Sequence, residues 1–469
     1  MKTGRIAWSI VGLLSLSAEV CAEPPRTSTE FVKLTASDGI YGDGFGFSLA
    51  VSGDDLVVGA PGYIIATGEV VGAAYVFRRS GPRWIQTAQL FVDFGVPPMD
   101  YEAFGWSVAI AGDLIVVGAP QIFPAVIGGG YGTAYVFRRY DPGTPEDALD
   151  DQWNGEAKLT SPDEIRYGDM FGYSVAVSGG TILVGRPGWD FSSGSAYSYR
   201  RVNGAWRHIA SLNPSDSVLD DAFGHAVSLS GTVALVGAHR RSDDGTHSGA
   251  GYVFRETGGV WVEECKLTAS DGAAGDFFGY SVSLLGERAV AGAYADDDAG
   301  PTSGSAYVFT HKDTPWSNET KLLCSDASDL DSFGQSVATD GNTIIVGAPG
   351  KGSVPNSVDH IGAAYLFHPD ADQWVEERKL VASDPAQNAV LGASVAVGGN
   401  YAYVGAQEAV YVYVVPSAAH SLRDFAAFQT CFHGDQPSSP SECARFDLVP
   451  DGRIDLRDYN EFLALLAGP

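Results

Sequence analysis

Charge is scarce in this chain, and basic charge is scarcer still. Charged residues make up 18% of 469, below the quarter or so of ordinary domains, and 29 Lys+Arg face 57 Asp+Glu for a formal net charge of −28. A surface of that sign repels phosphate, which excludes nucleic acid and anionic membranes as partners. Sulfur is equally sparse, with five cysteines and three methionines, so no thiolate metal cluster is expected. Long apolar runs are missing too. The best, residues 6–17, falls short of the ~18 residues that a membrane span needs, which excludes membrane insertion. Lys2 and Arg5 precede that run and Val20-Cys21-Ala22 follows it, so residues 1–22 read as a secretory signal cut after Ala22. The mature chain is therefore expected to be extracellular or at the cell surface. A lipid-bearing Cys21 fits less well, because Glu19 and Val20 are poor neighbours for it. Enzyme signatures are lacking: there is no HExxH, no GxSxG and no phosphate loop, and the nine histidines are scattered. No catalytic residue is assigned.

Glycine is what the chain has in excess, at 58 residues or about 12% against ~7% in average proteins. With 45% hydrophobic residues, that composition suits many short strands and tight turns around a sizeable core. The length suits one large β domain and a small module. Four cysteines follow the signal. Cys431 and Cys443, close together near the C-terminus, are expected to form a disulfide in an oxidising compartment. Cys265 and Cys324 fall in different repeats and read as small buried hydrophobes.

Seven segments begin alike: FGFSLAV at Phe45, FGWSVAI at Phe104, FGYSVAV at Phe171, FGHAVSL at Phe223, FGYSVSL at Phe278, FGQSVAT at Phe333 and LGASVAV at Leu391. A second run follows in each, such as LVVGAP at 56–61 and IIVGAP at 344–349, then a third such as AAYVF at 73–77. The fourth carries Trp84, Trp153, Trp206, Trp261, Trp316 or Trp374, read as packing residues. Short β-branched and aromatic runs punctuated by Gly, Asp, Ser and Pro are strand and turn signals. Four strands repeated seven times predict an all-β, seven-bladed propeller over residues 31–416. The seventh repeat lacks its fourth strand, while FVKL at 31–34 precedes the first repeat and matches the missing piece. An N-terminal strand is therefore expected to close the last blade and hide the open edges.

The recurring Phe-Gly and Gly-Ala-Pro pair resembles the FG-GAP repeat of integrin α-subunits and bacterial surface proteins. Integrin-type repeats hold calcium in an Asp-rich loop between the first two strands. Here those links (SGDD, AGD, SGG, SGT, LGE, DGN and GGN) are short and acid-poor, so no blade calcium is expected. The loops joining strands 2–3 and 4–1 are longer and share one face, which becomes the expected surface for a protein or glycan partner. Two Asp positions recur there. Asp38, Asp93, Asp163, Asp216, Asp271, Asp326 and Asp384 form one set; Asp43, Asp169, Asp221, Asp276 and Asp331, with Glu102, form the other. Residues repeated in every blade are expected to build it, by bonding turn amides. Non-repeating residues are the candidates for ligand contact: Trp189, Phe191, Arg240, Arg241, Asp296, Asp297 and Asp298, beside Phe123, Tyr131, Asp243 and Asp244.

Residues 417–469 change character. SLRDFAAF at 421–428 and DLRDYNEF at 455–462 align with helical spacing. Counting Asp447 as position 1 places Asp451 at 5, Arg453 at 7, Asp455 at 9 and Asp458 at 12, as a calcium loop requires. The module resembles a dockerin, an EF-hand-like pair of loop-helix units. That resemblance implies one Ca2+ site and a cohesin-like partner, although Val449 replaces the ligand at position 3 and the first unit has no acidic loop. The chain thus reads as a secreted, non-catalytic binding or scaffolding propeller anchored by its tail. The alternatives are a carbohydrate-active enzyme with the propeller as its platform, and a purely structural surface protein.

Overall fold

The Phe-Gly dipeptide closes a turn. In the computed structural model, which describes residues 26–415 apart from 65–67, 69, 82, 92–101, 122–130, 142–148, 164–167, 189–191, 313, 353–359 and 371–372, the amide after each Phe-Gly bonds back three residues. Trp106 N–H meets the Ala103 carbonyl at 3.1 Å and Tyr280 N–H meets Phe277 at 3.1 Å. The glycines of all seven copies have φ between 80° and 98°, the conformation that a type II turn demands at its third position. The innermost strand of each blade then begins, so the dipeptide sets where that strand starts.

The carbonyl of each of these glycines also meets the preceding blade. A Cβ on Gly59, in the Gly-Ala-Pro run of the first blade, would lie 2.0 Å from the Gly105 carbonyl oxygen of the second. The same contact recurs as Gly118 on Gly172, Gly185 on Gly224, Gly237 on Gly279, Gly292 on Gly334 and Gly347 on Gly392, and the ring closes with Gly405 on Gly46. A serine opening the inner strand donates to that same carbonyl, for example Ser48 to Gly105 at 2.9 Å and Ser394 to Gly46 at 2.6 Å. Ala226 takes its place in the fourth blade.

Seven four-stranded antiparallel blades follow, the first being Ser48–Ser52, Asp55–Ala60, Ala73–Ser80 and Arg83–Leu90 in spatial order. The core lies between blades, where one cluster joins Val57 and Val76 of the first to Phe104, Val117 and Tyr135 of the second. The motif phenylalanines and Leu391 are almost wholly buried, and each such side chain contributes about 1.5–3 kcal/mol. The fourth-strand tryptophans pack on these clusters: Trp84 reaches Tyr403 of the last blade edge-on at 5.4 Å.

The expected closure is present. Val32–Leu34 pairs antiparallel with Ala409–Val414 and becomes the outer strand of the seventh blade. One strand was not expected: Arg26–Ser28 adds in parallel to the outer edge of the sixth blade, along Gln373–Leu380. Strand pairing thus begins before residue 31. Residues 1–22 and the tail, including Asp447, Asp451, Arg453, Asp455, Asp458, Cys431 and Cys443, lie outside the described residues. Cys265 and Cys324 are free thiols, and burial pushes both up to about 12, which fits unreactive packing residues.

Two outcomes check this architecture. Deleting residues 30–34 strips the last blade and should cause aggregation or a large drop in melting temperature; an unchanged, monomeric variant would disprove the closure. Gly118→Ala should cost about 3 kcal/mol or more by urea unfolding. Gly81→Ala, at positive φ but with nothing within 4 Å, should cost only about 1 kcal/mol.

Candidate functional site

The loop face carries a lattice of ion pairs that fixes its backbone. The first recurring aspartate accepts the hydroxyl of a third-strand tyrosine: Tyr75 to Asp38 at 2.9 Å, Tyr252 to Asp216 at 2.8 Å, Tyr307 to Asp271 at 2.9 Å and Tyr365 to Asp326 at 2.7 Å. The lysine directly opposite that tyrosine on the fourth strand joins it, as with Lys266, Lys321 and Lys379. Burial works to raise Asp326, but the bonds from Lys379 and Tyr365 and the charge of Lys351 outweigh it and hold the carboxyl at about 2. These aspartates therefore build the blade, though through side chains rather than the expected turn amides. The second set does bond amides: Asp43 takes Ile40 and Phe45 N–H, and Asp221, Asp276 and Asp331 take those of Val218, Ala273 and Ser328.

Several candidate contact residues belong to this lattice. Arg241 is half-buried against Asp216, Asp221 and Asp243, at 3.2, 3.2 and 2.8 Å. Asp296 is 3% exposed and accepts Tyr307 at 2.8 Å and Lys321 at 2.9 Å. Asp298 is held by Lys321 at 2.5 Å. These three are positioned to hold loops rather than to meet a ligand. Asp297 is exposed on the same loop, and Trp189, Phe191 and Phe123 lie outside the described residues.

Arg240 points elsewhere. It borders a cavity of about 340 Å³ at the propeller axis, on the face of the 2–3 and 4–1 loops. The residue following Phe-Gly in each repeat stands here, aromatic in five blades: Phe47, Trp106, Tyr173, His225 and Tyr280. They form a continuous arc with successive ring centroids 4.5, 5.4, 4.9 and 4.6 Å apart. A second tier backs it, with Tyr294 4.5 Å from Tyr280 and His239 4.1 Å from His225. Gln335 and Ala393 leave the arc open over the last two blades.

His225 is locked in one tautomer. Its Nδ1–H donates to the Tyr280 carbonyl at 3.0 Å, so Nε2 accepts the Tyr173 hydroxyl at 3.3 Å. Burial lowers its pKa to about 4, against the carbonyl's pull and with help from the Arg240 charge. Burial likewise takes His239 well below the usual histidine range. As lined by the described residues, the mouth is a neutral aromatic cup with one cation, Arg240, at its rim. Among the described residues no carboxylate lines it.

Position three of the motif was visible in the sequence, since it varies inside an otherwise constant segment. The long loops vary more in length and residue type and so dominate the sequence signal.

A family model described as the FG-GAP repeat matches residues 28–77, 98–137, 153–199, 206–254, 261–309, 316–367 and 374–413. The chain belongs to the FG-GAP repeat family. Five of the seven stretches, from 153, 206, 261, 316 and 374, start inside the outer strand of the preceding blade, so the sequence repeat there straddles two blades. Integrin alpha-7 of Rattus norvegicus is 31% identical over 163 residues, covering 32% of this chain and 13% of that protein. Integrin alpha-7 of Mus musculus is 30% identical over 163 residues, covering 32% of this chain and 12% of that one. The chain thus spans only a small part of the curated relatives it matches. The Sqt1 structure of Chaetomium thermophilum aligns with a TM-score of 0.45 and 13% identity over 84% of this chain and 100% of its own, a likeness too distant to carry an argument.

A group whose folded pKa is depressed binds protons more readily when unfolded, so its contribution is present above the unfolded value and is lost as pH falls. For His225 that window runs from 6.5 down to about 4. Between pH 7.5 and 5 the parent should therefore lose about 1–2 kcal/mol more than His225→Phe in urea unfolding. Equal losses would mean His225 is not held neutral.

Proposed function

We propose that this protein is a secreted, non-catalytic recognition propeller, taking a protein or glycan on the face of its 2–3 and 4–1 loops with the axial mouth at the centre. The half-buried aromatic arc carries this reading. Five rings held by backbone turns present apolar area at little entropic cost, and the surrounding loops are stiffened by the aspartate lattice. The enzyme alternative draws less support, since both nitrogens of His225 are engaged and the ring is neutral, leaving it poorly placed as a base. Immobilised full-length protein should retain a component of the producing cell's surface fraction without altering it. Replacing Trp106 and Tyr280 together by alanine should cut retention at least about tenfold, as for central aromatic anchors. Glu287→Ala, in a 1–2 turn on the opposite face, should leave it unchanged. Retention indifferent to the Trp106 and Tyr280 replacements would move the site elsewhere.

The tail extends the proposal. A dockerin-like module would bind one Ca2+ through Asp447, Asp451, Asp455 and Asp458 and the Arg453 carbonyl, and would anchor the propeller on a cohesin-like partner. With Val449 at a ligand position, affinity should sit at the weak extracellular end, about 10⁻⁴–10⁻³ M. Calorimetry on the full chain should show one binding event that Asp451→Ala removes. Silence at millimolar calcium, or an unaffected variant, would rule the site out.

A further inference from the structure

The mouth carries more chemistry than an aromatic surface needs. Tyr280 and Tyr294 stand side by side with ring centroids 4.5 Å apart, and neither hydroxyl makes a hydrogen bond to another described residue. The same holds for the indole N–H of Trp106. Three free polar tips on aromatic walls suit a ligand whose faces are apolar C–H and whose rim carries hydroxyls. A pyranose ring is such a ligand. At about 340 Å³ the cavity is at the small end of ligand pockets, enough for one or two sugar residues at a chain end rather than for a folded loop.

Charge narrows the class. Among the described residues lining the cavity Arg240 is the one cation, its side chain well exposed, and only Nη1 is engaged, by Asp220 at 2.9 Å outside the cavity lining. Its field reaches across the mouth: it opposes the burial that raises Tyr173 and Tyr294, and it adds to the burial that depresses both histidines. In a chain of net charge −28, the side of this ion pair that borders the mouth is its cation. A cationic ligand would meet Arg240 with no carboxylate among the described lining residues to receive it.

We propose that the axial mouth binds a terminal acidic sugar of the uronate type, stacking its ring on Trp106 and Tyr280, bonding its hydroxyls to the Tyr280 and Tyr294 phenols, and placing its carboxylate on Arg240. The inference rests on the mouth being the recognition site. The overall negative charge makes a long polyanion unfavourable, so the ligand is one acidic residue at an end and not a stretch of polyuronate.

The test titrates the full-length protein with tetrasaccharides terminated by glucuronate or galacturonate, and with their carboxyl-reduced neutral forms. Calorimetry and tryptophan fluorescence give the affinities, and Trp106→Phe identifies the reporting indole. At least one acidic probe should bind, with affinity about tenfold or more above its neutral form, and Arg240→Met should erase that preference, as loss of a charge-assisted hydrogen bond requires. Arg240 pairs only with exposed Asp220, so this variant should keep the parent's melting temperature. Equal binding of acidic and neutral probes, or an Arg240→Met variant that keeps the preference, overturns the acidic-sugar inference and leaves a glycan site at the mouth intact. No binding by any probe overturns it as well. If surface-fraction retention still depends on Trp106 and Tyr280, the mouth remains a site for another ligand; if it does not, both readings fall together.

Discussion

A backbone carbonyl pressed onto a glycine Cα, repeated at all seven seams, is the contact on which the propeller depends. The second strand of one blade and the turn before the first strand of the next approach so closely that a single Cβ, as on Gly59 or Gly292, would fall about 2 Å from an oxygen. Each such glycine gives up chain entropy on folding, of order 0.5–1 kcal/mol more than alanine. The return is a ring of inner strands close enough for every neighbouring pair to touch, from the first blade round to the seventh and back. Larger residues at these positions would splay the blades and open the interblade core that buries the motif phenylalanines.

That constraint also explains how the mouth arises. Because the turn holds the backbone of every Phe-Gly-x segment in one conformation, the side chain at x is delivered to the axis whatever it is. The residue before the phenylalanine has positive φ in all seven copies, including Ala103, Met170, Ala222, Phe277, Ser332 and Val390, which are not glycine. Left-handed backbone at such residues costs of order 1–2 kcal/mol each, and it persists because bonds on both sides over-determine it. A scaffold this rigid can exchange Trp106 for Gln335 or Ala393 without moving its neighbours. Recognition can therefore diverge blade by blade while the fold does not.

Much of this was legible in the residues. The strand count, the displaced FVKL strand and the packing role of the fourth-strand tryptophans follow from periodicity and from what one repeat lacks. The parallel Arg26–Ser28 strand does not, because three polar residues carry no alternation to mark them. The lattice was half legible: recurrence marked the aspartates as structural, but their partners sit on strands 27 to 39 residues away, as in Tyr411 with Asp384 and Tyr365 with Asp326. Arg241 and Asp296 looked like specificity residues for the same reason. Each departs from the pattern of its loop, yet each is absorbed by charges supplied from elsewhere in its blade.

The electrostatics of the loop face follow from the same geometry, and they pull stability in opposite directions. Asp216, Asp271 and Asp384 all sit below their ordinary pKa, because bonds from a lysine and a tyrosine outweigh what desolvation takes away. Their contribution is lost only in acid. Glu408 behaves differently. It lies in the two-residue link that replaces the long 2–3 loop of the seventh blade, where its carboxyl takes the Gly42 N–H at 2.9 Å across the closing seam. Burial first, and then the neighbouring Asp43, raise it to about 7. A carboxyl raised on folding holds a proton that the unfolded chain has released, so its share of stability falls as pH rises from 4.5 towards 7. His225 contributes the reverse slope over nearly the same window. The seam and the mouth thus give opposing slopes around pH 5–6, with His239 adding to the side of His225.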